Sequence, residues 1–308
     1  MFTKLLFGLG VAASLVTLPG AASAAYSSFH VFGDSLSDNG NVYLITGGTA
    51  PPSPPYAQRF SNGPVAAERL GDRLGLPLTP SLIGGNDFAF GGAQTGTGNI
   101  NSALNGTGVL GQIGMFQLGG GSFSNSSLVM LWAGPNDFFA SPSPATIGPA
   151  ISNLGLSIQQ LYGLGARHIL MPNMPNLGIT PDGIASGNPA GLTALTAGFN
   201  GALDALIGAM EGLLAGLDII EFDTFGYVND VVANPGAYGF TNVNTPCVFV
   251  ACANPDQYLF WDGVHPTAAA HRMLGDAFMA AVPEPGGIAL LLVALLAMAV
   301  IRRRAAVR

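Results

Sequence analysis

The sequence predicts an α/β domain: a mostly parallel sheet with helices packed over both faces. Three observations predict it. Short β-rich apolar runs recur at Phe29–Phe32, Phe88–Phe90, Leu128–Trp132, His168–Met171 and Ile219–Phe222. Stretches with apolar residues three and four positions apart lie between several of them, the periodicity of a half-buried helix. The turns rich in Gly, Asp and Asn stand directly after the first three runs, where open parallel sheets collect their sites.

The two ends read as addresses. Lys4 precedes an apolar run from Leu5 to Leu18, and Ala22-Ser23-Ala24 follows with small residues where signal peptidase needs them. Residues 1–24 therefore read as a secretory signal peptide; the alternative, an N-terminal anchor, wants a longer apolar run. At the other end, Val282-Pro283-Glu284-Pro285 leads into sixteen uncharged residues, Gly286–Ile301, and then Arg302-Arg303-Arg304. As a helix that stretch spans roughly 24 Å, a short membrane crossing that keeps the arginines on the cytoplasmic side. Residues 283–308 resemble a PEP-CTERM sorting tail, which implies an exosortase as processing partner; a plain C-terminal anchor is the alternative. The expected location is export to the periplasm, cell surface or medium, with transient membrane anchoring by residues 286–301.

Residues 25–282 form one domain by length, with room for a sizeable core. They hold five arginines, no lysine and sixteen carboxylates, a formal charge of −11. Such a surface repels polyanions, so a nucleic-acid partner is excluded. Cys247 and Cys252 are the only cysteines. In an oxidising compartment a pair this close reads as a local disulfide shaping the loop ahead of Asp262, rather than as a metal site.

The elements follow in order. After the first run comes Gly33-Asp34-Ser35-Leu36-Ser37-Asp38, placing a serine at an expected strand-to-helix turn. Alone, such a serine is more often a helix N-cap. Ala50–Pro55 is expected to be extended and cannot be helical. Pro64–Leu74 puts Leu70 and Leu74 on one helix face. After the second run, Gly91-Gly92 lets backbone N–H groups approach a ligand unhindered. After the third, Gly134-Pro135-Asn136-Asp137 offers the Asn136 amide. Each of these alone is more often just a turn. Ser141–Pro144 is a break, and Thr146–Leu164 sets Ile147, Ile151, Leu154, Ile158 and Leu161 on one face. Ala190–Leu214 and Thr267–Ala281 are the remaining helices. Before the last stands Trp261-Asp262-Gly263-Val264-His265-Pro266: an Asp three residues ahead of a His can hold one ring nitrogen while the other faces a serine. His30, His168 and His271 have no visible ligand cluster, and no metal is expected.

Taken together, Gly33–Asp38, Arg59-Phe60-Ser61-Asn62-Gly63-Pro64, Phe88-Ala89-Phe90-Gly91-Gly92-Ala93, Gly134–Asp137, Asn254–Phe260 and Trp261–Thr267 resemble the SGNH/GDSL hydrolase superfamily. The resemblance covers Phe29 to about Ala281. It implies a flavodoxin-like three-layer α/β/α sandwich. It makes Ser35 the nucleophile, His265 the base and Asp262 its orienter, with an oxyanion hole formed by the N–H groups of Ser35 and Gly92 and the side chain of Asn136. One position departs: Asp87 stands where the second block usually opens with Asn, and Asn86 lies one place earlier. The expected reaction is hydrolysis of a short- or medium-chain carboxylic ester, small-molecule or lipid, without cofactor or metal. Two other readings stand beside it: an acetyl esterase acting on exopolysaccharide, and a non-catalytic surface or matrix protein.

Overall fold

The computed structural model describes residues 26–283; the expected signal peptide, residues 1–24, and all but Pro283 of the expected sorting tail, residues 283–308, lie outside the described residues. Four parallel strands, β1 (Ser28–Gly33), β2 (Ser127–Trp132), β3 (His168–Pro172) and β4 (Asp218–Phe222), pair in chain order. Register runs from Ser28 opposite Ser127 to Gly33 opposite Trp132, and from His168 opposite Asp218 to Pro172 opposite Phe222.

Among the described residues the helices are α1 (Asn41–Ile45), α2 (Ala66–Leu74), α3 (Val109–Leu118), α4 (Pro135–Ala140), α5 (Ile147–Gly163), α6 (Pro181–Ala185), α7 (Pro189–Leu213), α8 (Thr224–Ala233) and α9 (Ala268–Ala281). The strands' period of two divides the core between two faces. Phe29, Val31, Leu128, Met130 and Leu170 point to a core shared with α2, α8 and α9. Phe32, Val129, Leu131, Ile169 and Ile219 point to a second core shared with α3, α5 and α7. All six residues of β2 are buried, as a central parallel strand covered on both sides requires. The result is a three-layer α/β/α sandwich.

Three local expectations need correction. Phe88–Phe90 is not a strand but an edge segment beside β1, bridged only at the preceding Asp87, to Val31 on one side and to Pro80 on the other. It does follow β1, through Val31 N–H to Asn86 O (3.1 Å), Phe88 N–H to Val31 O (2.8 Å) and Phe90 N–H to Gly33 O (3.2 Å). Its outward side is taken by the backbone of Thr79 and Ser81 at Asp87 and otherwise by side chains: Asn41 Nδ2 donates to Asp87 O and Ala89 O, and Ala89 N–H donates to the Asp87 carboxyl. With that segment counted, the order along the sheet is second-first-third-fourth-fifth, which is the flavodoxin-like order, and its switch point lies beside β1. Ser35 does not open a helix either; the chain turns through Asp34–Gly40 before α1 begins at Asn41. Ala50–Pro55 is a run of turns instead of an extended segment, because Thr46 Oγ1 bonds both the N–H and the C=O of Ala50 and Tyr56 N–H reaches back to Pro52 O.

Candidate active site

The site gathers at the carboxyl ends of β1, the edge segment and β2, closed over by the loop ahead of α9. Ser35 lies in the turn after β1. Asp34 organises that turn: its carbonyl accepts from Ser37 and Asp38 N–H, and its Oδ1 accepts from Leu36 N–H. Those bonds leave the Ser35 N–H with no protein acceptor among the described residues. The other oxygen, Oδ2, is buried without a partner among the described residues. Burial, opposed by the Leu36 bond and by the charge of His265 and reinforced by Asp137 and Asp38, pushes the Asp34 carboxyl up to about 7.

Asp38 ties this turn to the glycine turn. Its Oδ1 accepts from Gly40 and Asn41 N–H, while its Oδ2 accepts from Val42 N–H and, across the site, from Gly91 N–H at 2.8 Å. Gly92 follows at φ +80°, and a Cβ there would meet Asn99 Oδ1 at 2.5 Å. A side chain is therefore excluded twice over, by conformation and by space. The Gly92 N–H also has no protein acceptor among the described residues. Asn136 opens α4; one hydrogen of its Nδ2 goes to Ala93 O at 3.0 Å, which fixes the amide plane and leaves the second free. The neighbouring Asp137 accepts from both the N–H and the hydroxyl of Thr95, pinning α4 to the glycine turn.

On the opposite side, Phe260–Pro266 forms a tight loop closed by Trp261 N–H to His265 O at 2.8 Å. Inside it, Asp262 Oδ1 accepts from the Val264 and His265 N–H groups, and both carboxylate oxygens lie 2.8–2.9 Å from His265 Nδ1. The far ring nitrogen, Nε2, is 2.8 Å from Ser35 Oγ. Burial alone would raise Asp262; the charge and hydrogen bond of His265 and the two backbone N–H groups outweigh it and hold the carboxyl down at about 2. The structure thus brings Ser35, His265 and Asp262 into one hydrogen-bonded line, with the N–H groups of Ser35 and Gly92 and the Asn136 side chain as its free donors.

Several further residues, outside the turns that carry the triad and its donors, support the site. Tyr56 donates its hydroxyl to Asp262 Oδ2 at 2.8 Å from 206 positions away, and burial followed by that carboxylate raises its own phenol. Phe60 lays its ring against His265 at 5.3 Å between centroids. Ser61 Oγ donates to Pro266 O, and Asn62 Oδ1 accepts from Ala268 N–H at 2.7 Å. The Arg59–Pro64 stretch is therefore a clamp on the loop that carries His265. Gln112 on α3 holds the end of β1 through both the N–H and the C=O of Gly33. Cys247 and Cys252 form a disulfide, and the N–H groups of Cys247 and Val248 bond Phe260 O and Trp261 O, just ahead of Asp262. Among the described residues, no cluster of three or more His, Cys, Asp or Glu side chains could hold a metal ion.

Residues 30–278 match the sequence profile of the GDSL-like Lipase/Acylhydrolase family. The chain belongs to that family. Relatives from Arabidopsis thaliana include GDSL esterase/lipase LTL1, 28% identical over 80% of this chain and 85% of its own length, and GDSL esterase/lipase APG, 26% identical over 80% and 88%. This GDSL protein is accordingly a carboxylic ester hydrolase, which removes the reading of a non-catalytic matrix component. Among solved structures, a member of the lipolytic G-D-S-L family from Veillonella parvula covers 83% of this chain and 97% of its own at 14% identity and a TM-score of 0.46. LAE5, an alpha/beta hydrolase from the metagenome of Lake Arreo, covers 84% and 95% at 17% identity and a TM-score of 0.45.

Proposed function

We propose that this ester hydrolase works by acyl transfer through Ser35, with His265 as general base and Asp262 as its orienter. The observation that carries this reading is the 2.8 Å contact between His265 Nε2 and Ser35 Oγ, made while Asp262 holds Nδ1. Ser35 Oγ bonds to the ester carbonyl carbon as its proton passes to Nε2. The carbonyl oxygen, now an anion, receives the Ser35 and Gly92 N–H groups and the free hydrogen of Asn136 Nδ2. Collapse breaks the bond to the alcohol oxygen, which takes the proton from the imidazolium and leaves. Water then attacks the acyl-enzyme as His265 takes its proton; collapse breaks the bond to Ser35 Oγ, which recovers that proton, and the carboxylic acid departs. Asp262, anionic over the whole working range, fixes the tautomer that places the lone pair on Nε2.

Ser35→Ala and His265→Ala are each expected to remove nearly all ester hydrolysis with the fold intact, and a fluorophosphonate probe to label wild type but not Ser35→Ala. Because the residues act as one unit, the double variant loses scarcely more than either single. Additive losses would overturn the assignment.

We further propose that the enzyme is exported, with residues 1–24 removed and residues 283–308 delivering it through the membrane to an exosortase. The disulfide between Cys247 and Cys252 supports an oxidising compartment. Mass spectrometry of protein recovered from its native host tests this: a mature chain retaining Met1 or the C-terminal arginines overturns it.

A further inference from the structure

Asp87 is a buried acid that acts on a second buried acid, Asp38. Its Oδ1 accepts from Ala89 N–H at 2.9 Å, and its Oδ2 is buried with no partner among the described residues. Asp38, in the turn after β1, is better provided for: its two oxygens accept from the N–H groups of Gly40, Asn41, Val42 and Gly91. Asn41 joins the two residues, giving its N–H to Asp38 Oδ1 and one hydrogen of Nδ2 to Asp87 O at 2.8 Å. The charged groups that act on Asp87 are Asp38, Glu68 on α2 and Arg59. The Arg59 guanidinium is already engaged, by Glu68 through Nε and Nη2 and by Ala57 O through Nη1.

Two carboxyls placed in this way cannot both ionise without leaving one charge buried and unpaired. The donors decide which of them keeps the proton. Four backbone N–H groups hold the charge on Asp38, whereas Asp87 has only those of Ala89 and Asn39. Burial, and after it the charge of Asp38, pushes the Asp87 carboxyl well above the usual carboxylate range. A neutral Asp87 leaves one O–H without an acceptor, which costs less than an unpaired anion in the same place.

We infer that Asp87 is a positioning residue that serves the reaction only as the neutral acid: protonated, it leaves Asp38 free to hold the glycine turn beside Ser35, and ionised, it displaces that turn. The inference rests on the oxyanion role given above to Gly92. The path between the two is short. Asp38 Oδ2 holds Gly91 N–H at 2.8 Å, and the next N–H along the chain is that of Gly92. A negative charge on Asp87 would face Asp38 in the interior, where no water screens it, and would drive the two carboxyls apart. Gly91 follows its acceptor, and the Gly92 N–H leaves the place where the oxyanion forms. Stabilisation of the transition state falls, while the bound ester is scarcely affected.

The test is kcat and KM for a water-soluble butyrate ester, corrected for spontaneous hydrolysis, from about pH 6 to 10. It compares wild type with Asp87→Asn, Asp87→Ser and Ser35→Ala. Wild-type kcat is expected to fall on the alkaline side by about tenfold per unit, with KM nearly unchanged. Asp87→Asn and Asp87→Ser both keep an acceptor for Ala89 N–H and carry no charge. Whichever of them folds should match wild-type kcat at the optimum within about threefold and show no alkaline fall. Asp34, at about 7, titrates in every chain alike, so the difference between the profiles belongs to Asp87. A merely structural Asp87 would lower kcat at every pH and leave the alkaline fall in place. An alkaline fall shared by wild type and variants overturns the inference, as does a wild-type kcat that stays level to about pH 10. Infrared spectra of wild type give a reading that needs no variant: at about pH 8.5, above Asp34, the band of a protonated carboxyl should persist and then fade together with kcat. Its absence there overturns the inference too. The parent mechanism is read separately: hydrolysis that survives in Ser35→Ala overturns Ser35 as nucleophile, whereas a shared alkaline fall in chains that need Ser35 overturns the role of Asp87 alone.

Discussion

Asn136 gives one amide hydrogen to Ala93 O and keeps the other for a ligand, so its plane is set before any substrate arrives. A donor of this kind acts mainly on charge that develops in the transition state. Asn136→Ala is therefore expected to lower kcat by about 10²–10³ with a much smaller change in KM. A raised KM with kcat retained would make it a substrate-binding residue instead. Tyr56 acts one bond further out, as a positioning residue. Its hydroxyl shares the charge of Asp262 with His265 Nδ1. Removing that hydroxyl leaves Asp262 Oδ2 with one partner fewer and loosens the carboxylate that orients the ring. Tyr56→Phe should lower kcat with little change in KM while leaving a folded enzyme. An unchanged kcat would mean that Tyr56 serves only packing against Trp261, 6.1 Å away between ring centroids.

At the scale of elements, the disulfide closes a five-residue separation, so its effect on the unfolded chain is small, about 2 kcal/mol. Its greater effect is local, because the same loop bonds Phe260 and Trp261 immediately ahead of Asp262. Replacing both cysteines by serine is expected to lower Tm by several degrees and to lower kcat, measured on the purified domain. An unchanged kcat would show that the loop does not hold the Asp262 turn. The strands β1 to β4 and the helices α2, α5, α7 and α9 are legible in the sequence because their apolar periodicity matches the faces they bury. Phe88–Phe90 misleads because three apolar residues in a row look the same on a paired strand and on an edge capped by the Asn41 side chain. The places of Ser35, Gly92, Asn136, Asp262 and His265 are legible as short motifs, each beside the end of a strand or ahead of a helix. Tyr56 is not, because it meets Asp262 only when the Pro-rich turns close over the loop ahead of α9.

For the whole molecule, two buried titrating groups pull stability in opposite directions with pH. His271 on α9 is 1% exposed, and its Nδ1 accepts from Ala66 N–H at 3.2 Å, so the ring is neutral in the fold. Burial, followed by the charge of His265, lowers it to about 3. Below a free imidazole's value of about 6.5 the unfolded chain takes up this proton and the folded one does not. Stability from His271 is thus lost as pH falls, by roughly 1.4 kcal/mol per unit. Asp34 is the mirror case. Raised to about 7 by burial, it is protonated in the fold but ionised in the unfolded chain above about 3.9. Its contribution is fully present below that value and is lost as pH rises toward 7, with the same slope. Between about pH 4 and 6.5 the two slopes cancel, and separating them needs one variant of each. Asp34→Asn removes the loss on the alkaline side, so its Tm relative to wild type should climb from pH 4 to 7. His271→Asn keeps an acceptor for Ala66 N–H but cannot take up a proton, so its Tm relative to wild type should climb as pH falls from 6.5 to 4. Both differences are read by thermal unfolding across that range, independent of activity. Wild-type and variant curves that run parallel would mean that neither group changes its protonation on folding, and the neutral His271 and protonated Asp34 assigned to the folded state would both be wrong.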